Sequence, residues 1–458
     1  MSFESLISRA EVSEGYTKLE GYYSGKMSLK ALGISLPDNA RILEMIANFP
    51  QLSVQVVSEL LVPEGYILED DKETPALLRS WWNANNMDAE VSQAVTEALV
   101  QGACYWIVGY GDDDTPRITA HDRRGMATSY NHMGELSEAV RTYKHGDDRY
   151  AAHYLPFETR YYAETHYGWK VVDVVEHGLD RPLVVPMFNK ERLSDTRGRS
   201  DLLPILDLTD AASRTLTNLQ VAQETASLPQ RYMFGKDMEA MFTKPILDEN
   251  GQPIRDPKSP TGYRLQPMSG PEVKVARQET YWGSLWVGPE GATAGQLPGA
   301  DLTMMIDTYK LYSQAVSAVT GIPPSMLAVS GDQPVSAEAM IAAKERLNRR
   351  AELKQTLFGD ALEDVARVAL ALYDKTPENV SQLGLQWRDP ATPSQNARSA
   401  ALLQAHAQGV ISAQTARDGL RLTPEQRARE DAKDAAADPI TALYGGSNDQ
   451  EEAAQRQC

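Results

Sequence analysis

The sequence has very little cysteine. Its 458 residues include only Cys104 and Cys458. Two cysteines cannot build the several-bridge framework of small secreted proteins, and their scarcity fits a reducing compartment. Cys104 lies in the apolar run from Ala103 to Val108, which predicts a buried strand residue. Cys458, the last residue, is predicted to carry a free thiol.

Long apolar runs are also missing. No stretch approaches the roughly 20 apolar residues of a membrane helix, so the sequence predicts no membrane-spanning segment and no membrane partner. The opening Met-Ser-Phe-Glu-Ser lacks the basic and then apolar regions of a signal peptide. Apolar residues make up 42% and charged residues 24%, which indicates a globular chain. Its length allows about two to four domains.

The motifs of common nucleotide-binding and hydrolytic sites are absent. Gly21-Tyr-Tyr-Ser-Gly25-Lys26 looks like a phosphate loop, but three residues rather than four separate its glycines. Met27 also stands where Ser or Thr would bind magnesium. No HExxH, GxSxG or paired CxxC motif occurs. The sequence therefore predicts that the protein is not an enzyme and needs no cofactor.

Two acidic clusters leave an enzymatic alternative open. Asp112 to Asp114 with His121-Asp122, or His145 with Asp147-Asp148, offer the side chains that divalent metals bind. Such residues are equally typical of turns between strands. A metal-dependent hydrolase is therefore kept as an alternative, and no metal site is predicted.

The charge balance is acidic. The 45 Lys and Arg residues against 63 Asp and Glu residues give 45 − 63 = −18. A tight non-specific DNA binder is basic overall, so either DNA is not a partner or it must pass without sticking. Arg346, Arg349 and Arg350 could bind phosphate, or form a solvated helix face or subunit contact. Trp282 and Trp286 could stack on bases, or pack in a core or an interface.

The first half of the chain changes from helical to strand-like patterns. Apolar residues recur at helical spacing over residues 4–23, 75–85 and 88–101, and another helix is predicted from about residue 38 until Pro50 interrupts it. Evenly spaced short strands with polar turns then predict an antiparallel meander. The predicted strands are residues 103–110, 117–120, 139–143, 150–155, 158–164 and 170–176.

The second half is mostly helical. Residues 201–227 are predicted to form a long helix, and a Gly- and Pro-rich insertion follows over residues 229–299. Strand candidates in the insertion are residues 230–234, 263–266 and 273–276. A returning helix over residues 302–319 is antiparallel to the first if the insertion is compact. The sequence thus predicts an α+β fold that is mostly α.

A loop between two helices is the most distinctive segment. Pro323 and Pro324 stop the returning helix, because proline lacks an N–H and restricts the residue before it. Ser336 can cap a second helix that reaches about Tyr373, roughly 55 Å at about 1.5 Å per residue. Gly359 is a candidate site for a kink in it.

This order of segments resembles the portal proteins, or head–tail connectors, of tailed phages, and the segments are similar to those of actinobacterial siphophages. The resemblance spans nearly the whole chain. It is carried by Arg199-Ser-Asp-Leu-Leu-Pro-Ile-Leu-Asp-Leu208, Ala226-Ser-Leu-Pro-Gln-Arg-Tyr232, Gly321-Ile-Pro-Pro-Ser-Met-Leu327, Ser330-Gly-Asp332 and Ser336-Ala-Glu338.

The resemblance implies a portal fold with named parts: a wing of helices and antiparallel strands, a two-helix stem, a loop-rich clip, a long kinked helix and a small helical crown. The implied boundaries are wing 1–198, first stem helix 199–227, clip 228–299, second stem helix 300–320, tunnel loop 321–335, long wing helix and following segment 336–390, crown 391–423 and a mobile acidic tail 424–458.

The resemblance also implies a role and partners. The chain would form a homododecamer at one capsid vertex, assembled in the bacterial host cytoplasm, through which double-stranded DNA passes without sequence readout. Implied partners are the major capsid protein, the scaffold, the large terminase and a head–tail adaptor. The missing phosphate loop means that the chain is not the motor. Another ring-forming head or tail component remains an alternative, although it would lack the stem–clip–stem insertion.

Candidate site residues follow from this reading. The tunnel loop would present Ser325, Met326, Ser330, Gly331, Asp332, Gln333 and Pro334 to DNA. Stem carboxylates that could line a channel are Asp201, Asp207, Asp210, Asp301 and Asp307. The clip would dock its partners through Tyr263, Arg264, Leu265 and Gln266.

Overall fold

The computed structural model describes most of the chain in two compact units. The described residues are 2–12, 14–27, 44–227, 231–234, 243–259, 262–269, 293–296, 301–327, 337–391, 395–412, 416–417 and 419–420. The first unit is Met1–Gln386 and the second is Trp387–Cys458. None of the helices within these ranges combines the length and apolar character needed to cross a membrane.

Five helices and one short strand form most of the N-terminal part. They are α1 (Phe3–Ala10), α2 (Glu14–Tyr23), α3 (Phe49–Ser58), β1 (Pro63–Ile67), α4 (Glu73–Ala84) and α5 (Met87–Gln101).

Two expectations for this part are wrong. Residues 4–23 form two helices, because α1 packs on strands whereas α2 packs on α3 and α5. Pro50 does not interrupt a helix but lies in the first turn of α3, where its missing N–H costs nothing.

The strands form two separate sheets rather than one meander. The bounds are β2 (Ala103–Gly109), β3 (Arg117–His121), β4 (Met126–Tyr130), β5 (Leu136–His145), β6 (Asp148–Tyr154), β7 (Glu158–Thr165), β8 (Gly168–Glu176) and β9 (Val184–Phe188). Strands β4 to β8 form a five-stranded antiparallel meander in chain order. β2 lies between β3 and β9 in a three-stranded sheet, and its almost fully buried side chains fit that central place.

The core is built on both faces of the meander. Ala139 and Val140 are adjacent on β5 and therefore point to opposite faces. Ala139 packs with Tyr105 and other residues of the three-stranded sheet. Val140 packs under Leu6 and other residues of α1. The buried free thiol of Cys104 confirms the predicted strand residue, and burial is the main reason that its pKa is raised.

The helices and strands of the segments expected to form the stem and the clip follow. The helices are α6 (Leu206–Ser227), which a 3-10 turn at Leu203–Ile205 precedes, and α7 (Thr303–Thr320). Between them lie β10 (Arg231–Phe234), β11 (Thr243–Pro245), β12 (Leu265–Pro267) and β13 (Thr293–Gln296). β10 pairs with β13 and β11 pairs with β12, both antiparallel.

The long helix α8 (Ala337–Leu372) packs across β2 and β9. It runs through Gly359 without a break, and the neighbouring Phe358 is fully buried. The strand β14 (Gly384–Trp387) follows it. In the second unit, α9 (Gln395–Ala407) lies in the segment expected to form a small helical crown, and Gly409 follows it with a φ of 71°.

Candidate functional site

The helices α6 and α7 pack against each other as an antiparallel pair, which we call the stem. α7 also contacts the 3-10 turn that precedes α6. In addition, Arg350 bonds both Asp201, before α6, and the carbonyl of Thr320, at the end of α7. The end of α7 therefore lies beside the start of α6, and the end of α6 and the start of α7 lie at the opposite end of the stem.

Cations on α8 hold the end of α7. Arg346 donates to the carbonyl oxygen of Ala318 at 2.8 Å, and Arg350 donates to that of Thr320 at 2.7 Å. The last carbonyls of a helix have no partner within the helix and carry its negative dipole end. The two guanidinium groups therefore satisfy these carbonyls and fix the stem to the long helix.

A mostly buried ion cluster continues this contact. The Lys354 side chain is 1% exposed, and its Nζ lies 3.0 Å from Oδ1 of Asp201, whose side chain is 10% exposed. Lys354 also donates to Asn189, and Nη2 of Arg350 lies 2.8 Å from Oδ2 of Asp201. Burial alone raises the pKa of Asp201, but Lys354 and Arg350 outweigh it and hold that pKa below its usual value.

The start of the predicted tunnel loop is well anchored. The carbonyl of Ile322 accepts from the Ser317 hydroxyl at 2.7 Å, and residues Pro324–Leu327 form a 3-10 turn with Leu327 buried. Ser325 is exposed and Met326 is half-buried in that turn. The other predicted loop residues, Ser330, Gly331, Asp332, Gln333 and Pro334, lie outside the described residues.

The stem carboxylates occupy different environments. Asp207, Asp301 and Asp307 are exposed, although Asp301 also accepts the backbone N–H of Thr303 and Asp307 pairs with Lys310. The expectation that Asp201 lines a channel is corrected, because its carboxylate is enclosed by two cations.

Asp210 is half-buried and accepts a hydrogen bond from the hydroxyl of Tyr22 at 2.9–3.0 Å. Burial, together with this carboxylate, raises the pKa of Tyr22 to about 12. Asp210 therefore ties the first half of α6 to the N-terminal helix α2.

The clip residues predicted to dock partners lie on a small β structure. Leu265 and Gln266 belong to β12, and Arg264 exchanges backbone hydrogen bonds with Ile246 and Ile254 at 2.8 and 2.9 Å. The side chains of Tyr263, Arg264 and Gln266 are exposed. The backbone thus holds the strand while these three side chains face outward.

The acidic clusters that suggested a metal are dispersed. Asp114 pairs with Lys375 at 3.0 Å, and His121 contacts Thr119. Burial is the main reason that the pKa of His121 falls to about 4. Within the described ranges, no three His, Cys, Asp or Glu side chains are grouped so that they could hold a metal ion.

The cluster around Lys354 was missed by sequence reasoning. The arginines of α8 were expected to bind phosphate, face solvent or contact a subunit, but two of them hold the stem. Arg346, Arg350 and Lys354 recur every four residues, which places them on one side of the helix. Between them lie the buried Leu347 and Ala351, so this spacing was the available indication of an inward-facing stripe.

Comparisons with known proteins agree with this architecture. The family described as "Phage portal protein, SPP1 Gp6-like" matches residues 10–438. The portal protein of Mycobacterium phage L5 is 30% identical over 444 residues, covering 93% of this chain and 86% of that protein. The portal protein of Mycobacterium phage D29 is 30% identical over 429 residues, covering 90% and 80%.

A solved structure titled "Neck of native GTA particle computed with C12 symmetry" has a TM-score of 0.49 and 14% identity, and covers 88% of this chain and 99% of that chain. The family match extends over almost the full length, including α6, α7, the strands between them and the long helix α8. The chain therefore belongs to the phage portal protein family, which is a family of structural virion components.

Proposed function

We propose that this chain forms a closed ring of twelve subunits at one capsid vertex, and that DNA enters and leaves the capsid through it. Family membership supports the role. The observation that carries the ring is the stem, because α7 leaves large apolar side chains uncovered in a single chain. Met304 is 70% exposed and Leu311 is 61% exposed. Neighbouring stems in a ring would cover them.

The ring gives each part of the chain a task. The clip, at the stem end away from the wing, docks the large terminase during packaging and the head–tail adaptor afterwards. Tyr263, Arg264, Leu265 and Gln266 supply that surface. The wing contacts the major capsid protein and the scaffold while the particle assembles in the host cytoplasm. Ser325, Met326, Ser330, Gly331, Asp332, Gln333 and Pro334 approach the DNA in the channel.

The channel is acidic or neutral in this proposal. The two stem helices carry four acidic residues and two basic ones: Asp207, Asp210, Glu224 and Asp307 against Arg214 and Lys310. A wall of this charge repels phosphates, so DNA slides rather than binds. A channel lined throughout by Lys and Arg in the assembled ring would contradict this part.

The test combines native mass spectrometry of the purified chain with electron microscopy of the protein and of virions. We expect rings, twelve-fold in virions, with the stem helices surrounding the channel. Leu311→Asp should weaken ring formation, because it places a charge in the stem–stem contact. Val12→Asp, which changes a side chain that is 63% exposed between α1 and α2, should not. Monomers alone at high concentration, with no rings in procapsids, would refute the ring.

A further inference from the structure

A loop that follows β9 ends in an exposed cation and an exposed apolar side chain. We call residues 190–198 the projecting loop. Leu193 is fully exposed, and Arg192 is exposed with no side-chain partner in the described part of the chain. The two carboxylates of the loop do not pair with the Arg192 guanidinium group. Glu191 lies 3.6–3.7 Å from Lys354 and Arg350, and Asp195 accepts a hydrogen bond from the backbone N–H of Arg192. The tip is therefore basic and apolar.

The projecting loop is held in shape by its own backbone. Arg199 N–H donates to the carbonyl of Asn189 at 2.8 Å and closes the base. Asp195 N–H donates to Arg192, and Gly198 N–H donates to Asp195. A loop that is already ordered loses little conformational entropy when it binds, so it is suited to docking.

A cleft of about 530 Å³ in the same unit has the complementary chemistry. Two aromatic side chains at its rim, Tyr110 and Phe157, are 50% and 57% exposed. Phe157 has a φ of 70°, which is unusual for a bulky residue and costs about 1–3 kcal/mol. Its N–H donates to Leu179 and its carbonyl accepts from His177, both at 2.7 Å, and these bonds hold the exposed ring in place.

The cleft lacks a cation. Glu158 and Glu176 are directly opposite each other in the register of β7 and β8, an arrangement that like charges disfavour. Glu158 binds Arg160, whereas Glu176 has no cationic partner among the described residues. An incoming guanidinium group would supply the cationic partner that Glu176 lacks.

The projecting loop and the cleft cannot meet within one chain. β2 and β9 are antiparallel, with Ala103 opposite Phe188 and Ile107 opposite Val184. The projecting loop follows Phe188 and therefore lies beside Ala103, where β2 begins, whereas Tyr110 directly follows the last residue of β2. At about 3.3 Å per residue, the length of β2 separates the loop from Tyr110 by roughly 20 Å. Two different surfaces at opposite ends of one sheet form head-to-tail contacts, which close into rings when the rotation allows.

We propose that the projecting loop of one subunit docks in this cleft of the next copy around the ring. Leu193 packs between Tyr110 and Phe157, and Arg192 pairs with Glu176. The proposal rests on the ring of the proposed function and adds a second contact between neighbours, separate from the stem.

Crosslinking tests the contact directly. In full-length chain with Cys458→Ser, the pair Leu193→Cys and Tyr110→Cys should give, with a short bismaleimide, a ladder of covalent multimers ending at the closed ring. Cys104 stays in place because it is buried. The matched control pairs Leu193→Cys with Tyr167→Cys, another tyrosine that is 97% exposed but lies at the far end of β8. That pair should give no ladder.

A charge exchange separates this contact from the ring itself. Arg192→Glu and Glu176→Arg should each weaken every interface by roughly two- to fivefold, an effect that ring closure multiplies, and the double variant should restore assembly. The measurement is the protein concentration at which half of the chains are in rings. If the wild-type chain forms rings, the single charge variants assemble normally and the cysteine pair gives no ladder, the docking contact is wrong and the ring itself is still supported. A wild-type chain that forms no ring would overturn both.

Discussion

At the scale of single residues, two glycines close the base of the projecting loop. Gly198 has a φ of 76°, and a side chain there would overlap the carbonyl oxygen of Gly102. Gly198→Ala should therefore lower the free energy of unfolding by about 1–2 kcal/mol for the left-handed backbone and about 1–3 kcal/mol more for the overlap. Denaturant unfolding followed by tryptophan fluorescence measures the loss.

The control for this prediction is Gly134→Ala. Gly134 has a similar φ of 85°, but an added methyl group would meet no atom within 4 Å. Its cost should stay at about 1–2 kcal/mol, which is the backbone part alone. Equal losses in the two variants would mean that the Gly102–Gly198 contact is not tight.

The buried ion cluster gives a second prediction at this scale. Lys354→Met leaves the mostly buried carboxylate of Asp201 with only Arg350 as a cationic partner, apart from the hydrogen bond from Asn189. We expect the free energy of unfolding to fall by about 1–3 kcal/mol, because the mostly buried carboxylate of Asp201 and the side-chain oxygen of Asn189 both lose the ammonium group that they share. Arg349→Met, on the exposed side of the same helix, should change it by about 0.5 kcal/mol or less. Similar losses in both would contradict the assignment.

The same cluster predicts a dependence on pH. The pKa of folded Asp201 lies below the unfolded value of about 3.9. Its stabilisation is therefore present above the unfolded pKa and is lost as the pH falls through the folded pKa. Asp201→Asn removes this titration. The gap in unfolding free energy between wild type and Asp201→Asn should narrow as the pH falls below about 4, and a constant gap would argue against the ion pairs.

At the scale of elements, the clip offers the clearest prediction. Replacing Tyr263 to Gln266 with a Gly/Ser linker removes the pairing of β12 with β11 and the outward side chains together. We expect an unchanged wing and a loss of terminase docking, measured by pull-down with the purified terminase. Tyr263→Ala with Arg264→Ala separates the two causes, because the backbone pairing remains. Docking at wild-type strength in the linker variant would refute the assignment.

Helices whose apolar residues recur at regular helical spacing were predictable from the sequence, but the elements against which they pack were not. The periodic residues of α5 predicted its bounds within one residue, since one face is buried along its whole length. The break between α1 and α2 depends on two distant partners, strands on one side and helices on the other, which no local pattern records. β4 was missed because its pairing with β5 appears only in the fold.

The candidate site shows the same division. Chain order and motifs were enough to predict the two packed helices α6 and α7, whereas the assignments of the clip and the tunnel loop stay predictions. The enclosure of Asp201 was not predictable, because Asn189, Arg350 and Lys354 come from segments up to 165 residues apart. A carboxylate at the start of a helix usually serves the helix dipole, and only the tertiary contact turns it into a buried partner.

At the scale of the whole molecule, the net negative charge and the stripe of Arg346, Arg350 and Lys354 on α8 have different roles. The net charge of −18 suits the proposed channel, which DNA must leave as easily as it enters. The inward-facing cations of α8 are engaged within the subunit, because Arg346 and Arg350 are bound to helix carbonyls and Lys354 is buried. A basic run in the sequence is therefore no guide to DNA contact in this chain.

The last prediction concerns the tunnel loop. The chain is anchored to the fold on both sides of this loop. Leu327, which precedes the loop, is buried, and Arg346 of α8, which follows the loop, donates a hydrogen bond to a carbonyl at the end of α7. Deleting Ser330 to Pro334 removes five of the nine residues that separate Leu327 from Ala337 and leaves both anchors in place. We therefore expect normal rings. Because the deletion removes Asp332 and the segment proposed to touch DNA without base readout, late packaging or DNA retention should fail.

The measurement for this deletion is the length and yield of packaged genomes in purified particles, with ring formation checked by electron microscopy. Ser330→Ala with Gln333→Ala is the matched control, since it keeps the loop length and the charge of Asp332 and should package normally. Full-length genomes at wild-type yield from the deletion variant would make the segment a simple connector between helices. Loss of rings would instead make it a contact between subunits, because the anchors within each chain are unchanged.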